Sequence, residues 1–262
     1  MDRNENATCR HVAGVRVDLI SKNSLIEELA SIIRNSCGEP ALSVIHTLNP
    51  EICMSAWRHT EYQKTLNAGA FNVVDGVGLQ LALRRSGHQR VQRNCGSDLI
   101  YDLAALCHEA SRTLMLLGGT PSRLHKACIH LQQRFPGLRV VGNAPPFSLS
   151  SLPLNQNEIE QLIVAEQPAV LAVCLGAPKQ EIWIQRNKVF LASQGVRIAA
   201  GLGGTIDFLS GDIPRAPVFM RKIGLEWLYR LCKEPKRWKR QVSTLPNFLM
   251  LAIFNRNFIS HE

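Results

Sequence analysis

The chain predicts an α/β fold in which buried parallel strands alternate with helices, and three observations carry that prediction. Short apolar runs, mostly rich in β-branched residues and ending in glycine or a polar turn, recur as far as residue 201. Segments of helical length separate them. Hydrophobic residues make up 45% of the 262, enough for a full core at the upper edge of what one domain holds.

In order, VRVDLI at 15–20 opens the strand series and precedes a helix over 24–34. ALSVIHT (41–47) leads to helical sequence over 50–67, with a break inside it. FNVV (71–74) is followed by helices over 79–85 and 98–110, and TLMLLG (113–118) by one over 122–134. LRVVG (138–142) runs into a loop marked by Pro145, Pro146 and Pro153 before a helix over 157–166. AVLAVCLG (169–176), a helix over 179–194 and VRIAAG (196–201) complete the pattern. The strand, helix, strand order of the second half implies right-handed crossovers and a ligand crevice at the carboxyl ends of the strands. The expected core is therefore a Rossmann-like parallel sheet over residues 1–210. Near Gly211 the composition turns to Arg, Lys and aromatic residues, which sets 211–262 apart as a basic, helical C-terminal appendage.

Composition excludes several classes. The formal charge of +9 and pI near 9.4 favour a polyanionic partner without choosing among nucleotide diphosphates, nucleic acid and acidic lipid. Eight cysteines lie far apart, with no Cys-x-x-Cys pair and no zinc spacing, and read as free core thiols. The start, MDRNENATCRHVAG, lacks the apolar region of a signal peptide, so a reducing cytosolic setting is expected. No run approaches the ~20 apolar residues of a spanning helix; the apolar stretch at 248–254 is long enough only to lie in an interface.

Four strand ends offer glycine or polar loops that feed helices: HTLNPE (46–51), LLGGTPS (116–122), CLGAPKQE (174–181) and GLGGT (201–205). Gly118, Gly119 and Gly176 in such loops let backbone amides approach a phosphate, although each loop alone also reads as ordinary turn chemistry. None is a GxxxxGK[ST] loop, and none is a GxGxxG followed by a ribose-binding acid, which argues against a P-loop NTPase and a nicotinamide oxidoreductase. Asp75 follows FNVV and precedes Gly76, a carboxylate at a strand end placed to act as general base; taken alone it would read as a turn or capping residue. Thr47 and Asn49 offer neutral hydrogen bonds to sugar or phosphate oxygens, with Asn49 equally suited to cap the next helix. Arg93, just before a predicted helix, is suited to pair with a diphosphate, or else is a solvated arginine. Gln180 sits in a first helical turn where it reaches toward a bound sugar, and Glu181 there complements the helix dipole.

TLNPE (47–51), VVDGVG (73–78), RNCGSDL (93–99), LLGG (116–119), LGAPKQE (175–181), GGTIDFLSG (203–211), RAP (215–217) and GLEWLYRLCKEPKRWKR (224–240) occur in that order over nearly the whole chain. Together they resemble the WecG/TagA/CpsF glycosyltransferases, family 26. The resemblance implies inverting transfer of a hexosyl or N-acetylhexosaminyl group from a UDP-sugar donor to a polyprenyl-diphosphate-linked saccharide in cell-surface glycan synthesis. It places such an enzyme at the inner face of the cell membrane. It implies no metal and no cofactor, and the chain has no Asp-x-Asp motif to hold an ion against a diphosphate. By motif position Asp75 matches the family's general base, Thr47 and Asn49 its sugar contacts, Arg93 its diphosphate arginine and Gln180 its PKQE glutamine. Asp207, in GGTIDF, is placed to contact uridine or to serve as a turn carboxylate. At 95–98 the chain reads Cys-Gly-Ser-Asp, where the family more usually has Thr or Val before the glycine.

From 215 to 240 nine cations face two glutamates, with Trp227, Leu228, Leu231 and Trp238 interleaved at roughly helical spacing. Such a surface suits an anionic membrane, or a solvated helix packed on the core. The following LPNFLMLAIFNRNF has no evident core partner in sequence and tips the reading toward membrane docking. The family resemblance further implies that docking folds the tail over the site and brings Arg215 or Arg221 to the diphosphate; removing everything after Gly211 would then abolish activity and spare the core. A nucleic-acid-binding module is the competing reading of the basic tail, but no reading helix or stacking sheet supports it, and no nucleic-acid partner is expected. A homo-oligomer is compatible with the sequence, which does not specify one.

Overall fold

The computed structural model describes residues 9–34, 41–88, 91–145, 156–222, 224–233, 238–255 and 258–260, without the side chains of 222, 230 and 238–243. Pro146, Pro153, Lys236 and Arg237 lie outside the described residues, as do the side chains of Lys222, Arg230, Trp238, Lys239 and Arg240.

Seven strands form the expected parallel sheet: β2 (Val15–Asp18), β3 (Ser43–Leu48), β4 (Phe71–Val74), β5 (Leu114–Gly118), β6 (Val140–Asn143), β7 (Val170–Cys174) and β8 (Ile198–Gly201). Their order, β6-β5-β7-β8-β3-β4-β2, puts β3, β7 and β8 side by side in the interior, so β7 and β8 are apolar along their length, and β3 buries His46 and Thr47 among its apolar residues. Alternation divides each strand between two faces. Ile45, Leu114, Leu116, Val170 and Ala172 pack under α1 (Lys22–Arg34), α5 (Gly96–Glu109), α6 (Pro121–Arg134) and α10 (Thr205–Leu209). Val44, Met115, Leu117, Leu171 and Val173 pack under α7 (Gln156–Glu166), α8 (Lys179–Arg186) and α9 (Lys188–Ser193) on the other face.

The helical sequence at 50–67 breaks at His59 into α2 (Pro50–Arg58) and α3 (Thr60–Asn67), and α4 (Val77–Arg85) follows β4. The helix expected at 179–194 is two helices, divided at Asn187, whose side-chain amide donates to the Trp183 carbonyl at 2.8 Å and so competes with the helical ladder.

An antiparallel edge was not foreseen. β1 (Cys9–Val12) pairs with β2, and β9 (Ile259–Ser260) pairs with β1. The two-residue turn is Ala13-Gly14, with φ of 57° and 72°, a hairpin geometry usually announced by Asn-Gly or Asp-Gly. Gln63 holds it, its side-chain amide donating to the Ala13 carbonyl at 2.8 Å.

The C-terminal segment forms α11 (Val218–Lys222), α12 (Glu226–Lys233) and α13 (Trp238–Phe254). The view that its apolar end lacks a core partner is corrected. α13 packs on α2 and α4, and Phe248 and Phe258 are fully buried with Leu48, Val74, Ile52 and Leu79. Phe258 meets Phe248 and Trp57 edge-on, each at 5.4 Å between centroids. Met250, Ile253 and Phe254 remain exposed on α13. Among the described residues no helix is long and apolar enough to cross a membrane.

Candidate active site

A cleft of about 690 Å³ opens at the carboxyl ends of β3, β4, β7 and β8, where a parallel sheet is expected to bind its ligand. Thr47, Asn49, Asp75, Arg93, Gly176 and Gln180 all line it, although they are up to 133 positions apart in sequence (180 − 47). The far wall is C-terminal: Gly224, Glu226, Trp227, Thr244 and Leu245. That wall fits closely, since a Cβ on Gly224 would lie 2.5 Å from the Val77 side chain, and one on Gly78 would lie 3.0 Å from Leu245.

Asp75 is half-buried directly after β4, its backbone amide donating to the Leu48 carbonyl at 2.8 Å. Burial pushes its carboxyl up to about 6. The Cys95 thiol, the Arg93 guanidinium and the Gly96 amide oppose that rise, whereas the nearby Glu226 carboxylate adds to it. Burial and the Asp75 charge raise the Cys95 thiol in turn, so it remains a neutral donor beside the carboxylate. Gly96 and Ser97 open α5 at the cleft, giving a 14-residue helix whose N-terminus favours an anion there. Arg93 ties this corner to the C-terminal segment: its Nη2 donates to the Arg221 carbonyl at 2.7 Å.

Thr47 donates its hydroxyl to the Gly201 carbonyl at 2.9 Å, joining β3 to β8. The Asn49 Oδ1 caps α2 by accepting from the amides of Glu51 and Ile52, both at 3.0 Å, with Pro50 in the first turn. Its Nδ2 group is then the donor suited to a ligand oxygen. Gln180 is 2% exposed and bonded through both ends of its amide. Its Oε1 accepts from the Gly176 amide at 3.1 Å and the Gly203 amide at 2.9 Å, and its Nε2 donates to Glu181 Oε1 at 2.8 Å. Two donors and one carboxylate acceptor allow only this orientation of the amide. The glutamine staples the loops after β7 and β8, and those two glycine amides are directed at it. Glu181, read in sequence as a first-turn charge, is fully buried beneath the cleft beside Tyr62; burial raises its carboxyl.

The remaining sequence candidates stand outside the cleft lining. Gly118 and Gly119, with φ of 127° and 73°, allow close packing: an added Cβ would lie 2.6 Å from the Cys174 carbonyl oxygen and 2.8 Å from Ile206. Asp207 is ion-paired to Arg123 at 2.8 Å, in a clip that also joins Arg123 and Lys126 to Asp212. Arg215 lies behind the wall, held by Asp98 at 2.8 Å and Ser97 Oγ at 2.9 Å, with Glu226 3.5 Å away. Arg221 contributes its carbonyl to Arg93. Sequence reasoning passed over Cys95 and Glu226 as site residues. The first drew notice only as a departure from a motif, and the second was only counted as one of the two glutamates among the nine cations of 215–240. Among the described residues no three His, Cys, Asp or Glu side chains gather as an ion-binding group.

A parallel sheet bearing a carboxylate, an arginine and a helix N-terminus in one cleft is the equipment of a group-transfer enzyme acting on an anionic substrate. The profile of the WecG/TagA/CpsF glycosyl transferase family matches residues 10–261, and the chain belongs to that family. It is a glycosyltransferase. Among its relatives is an N-acetylglucosaminyldiphosphoundecaprenol N-acetyl-beta-D-mannosaminyltransferase of Bacillus spizizenii, 31% identical over 80% of this chain and 78% of the relative. Enzymes of the same name from Bacillus subtilis (28%, over 80% and 79%) and Staphylococcus aureus strain MW2 (26%, over 95% and 94%) are also similar.

Proposed function

We propose that the enzyme transfers a hexosyl or N-acetylhexosaminyl group, with inversion, from a UDP-sugar to a saccharide carried on a polyprenyl diphosphate. The observation that carries this reading is the corner where Asp75, raised toward neutrality, faces Arg93 and the α5 N-terminus in one cleft. Asp75 accepts the proton of the acceptor hydroxyl as its oxygen bonds to the anomeric carbon. The bond from that carbon to the UDP oxygen breaks on the opposite face, and the departing diphosphate is stabilised by Arg93 and the α5 amides without a metal ion. The relatives' names put N-acetylmannosamine first among donors to try and diphosphate-linked N-acetylglucosamine first among acceptors.

The test is a transfer assay with radiolabelled UDP-sugars and a synthetic polyprenyl-diphosphate saccharide, with and without EDTA, comparing wild type with Asp75→Asn. One donor should label the lipid in EDTA, and the variant should lose about two to four orders of magnitude in rate. Wild-type rates in the variant would remove Asp75 as the base.

We further propose that the C-terminal segment docks at the inner face of an anionic membrane. Phe219, Leu228, Met250, Ile253 and Phe254, all exposed, are the apolar contacts, alongside the tail's cations. Phe219→Ser with Phe254→Ser should reduce flotation with phosphatidylglycerol vesicles, and unchanged flotation would refute this placement.

A further inference from the structure

The cleft continues past the Asp75 corner along one face of α2. Glu51, Ile52, Ser55 and Arg58 line it, and their spacing of three, four and seven residues makes them a single helical stripe, with His59 following at the helix end. One end of the stripe lies beside Asn49 and Asp75, and Arg58 is at the other, roughly 13 Å away along the helix. Arg58 is exposed, and no acidic side chain pairs with it among the described residues. The next side chain back, Trp57, is 41% exposed and stacks edge-on against Phe258, which in turn stacks on Phe248 of the helix carrying Met250, Ile253 and Phe254. From Asp75 outward the α2 stripe thus runs to a cation, and the half-exposed Trp57 ring is the residue next to it in sequence.

We propose that Arg58, at the C-terminal end of α2, binds the diphosphate of the lipid-linked acceptor, separately from the donor diphosphate at Arg93. This rests on the transfer reaction proposed above and adds the direction in which the acceptor lies. The saccharide occupies the α2 stripe with its terminal hydroxyl at Asp75. The diphosphate meets the planar guanidinium, which is suited to two parallel hydrogen bonds to phosphate oxygens. The first prenyl units leave past Trp57. Because the two anionic groups are held at opposite ends of the cleft, both substrates can be bound at once without their charges meeting.

The experiment uses the full chain as wild type, Arg58→Ala and Arg58→Lys, with calorimetric titration of farnesyl diphosphate and, separately, of UDP. Loss of one charge-assisted contact should weaken farnesyl diphosphate roughly ten- to a hundredfold in the alanine variant, with partial recovery in the lysine variant and UDP affinity unchanged. In the transfer assay the acceptor KM should rise by a similar factor while kcat and the donor KM hold. Equal farnesyl diphosphate affinity in all three proteins, or a matching loss of UDP affinity, would overturn the subsite. So would flotation on phosphatidylglycerol vesicles that falls in step with farnesyl diphosphate binding, since Arg58 would then be a general lipid contact. If farnesyl diphosphate binding depends on Arg58 but no UDP-sugar supports transfer, the diphosphate subsite stands and the catalytic reading fails.

Discussion

Asp75 has a cost that can be measured without any substrate. Its carboxyl is raised from the usual 3.8 to about 6, so the folded protein binds that proton more tightly than the unfolded chain does. The resulting stabilisation is complete below pH 3.8 and is lost as pH rises through 6. At neutral pH an ionised, half-buried carboxylate opposes folding. Asp75→Asn should therefore melt higher than wild type at pH 7.5, by up to about 3 kcal/mol, with the gap closing toward pH 4. Activity has the opposite dependence, because the base works only when ionised, and kcat/KM should fall as pH drops through about 6. A wild-type melting curve that matches the variant at every pH would contradict the assignment. Gln180 and Glu181 yield a second residue-scale test, since one carbonyl oxygen holds two loop amides and one amide nitrogen faces a carboxylate. Gln180→Glu should be severely impaired, because it buries two carboxylates in contact. Glu181→Gln should be mild, and the double exchange should regain most of the lost stability and donor KM by restoring donor–acceptor order. A double variant no better than Gln180→Glu alone would show that side-chain volume, not hydrogen-bond polarity, is what matters there.

At the scale of elements, sequence periodicity located all seven parallel strands, because central strands buried on both faces read as unbroken apolar runs ended by glycine. It missed β1 and β9, strands of four and two residues at the antiparallel margin of the sheet, whose existence depends on a partner rather than on local preference. Their turn, Ala13-Gly14, uses an alanine at positive φ that Gln63 stabilises from fifty residues away. The cleft lining was legible at the polar residues that follow strands. Gln180, expected to reach a bound sugar, lines the cleft but is held by Gly176, Gly203 and Glu181, contacts that were not legible because nothing local reveals that Gly203 would meet it. α13 was misjudged for a related reason: its partners, α2 and α4, precede it by more than 150 residues. Phe248 and Phe258 now argue against truncation as a clean test of the tail. A chain ending at Gly211 should lose cooperative folding along with activity, because it strips both rings from a core cluster; Phe248→Ala alone should cost about 3–5 kcal/mol. A truncated protein with a wild-type melting temperature would show that the segment is independent after all.

For the whole molecule, Asp75 and Arg93 come from the first hundred residues, whereas the wall that encloses them comes from residues 224–227 and 244–245. Family membership over residues 10–261 covers both parts. Arg93 spans the join, reaching from the catalytic corner to the Arg221 carbonyl. The basic composition is distributed accordingly: Arg93 and Arg58 line the cleft, while Arg215 and Arg123 are paired with carboxylates that brace neighbouring elements. Overall charge could point to an anionic substrate but not separate these uses.

The Gln180 staple bears on how this scaffold could change its sugar. A single carbonyl oxygen fixes two loops at once, so a substitution that reshapes the loop after β7 also moves the one after β8, and neither can be retuned alone. The α2 stripe is under no such linkage, being a row of side chains on a helix whose backbone is already self-sufficient. With the acceptor along α2 as proposed, new acceptors are within reach of single substitutions, whereas reshaping the two linked loops requires coordinated ones, and selection experiments on this enzyme should yield acceptor variants first.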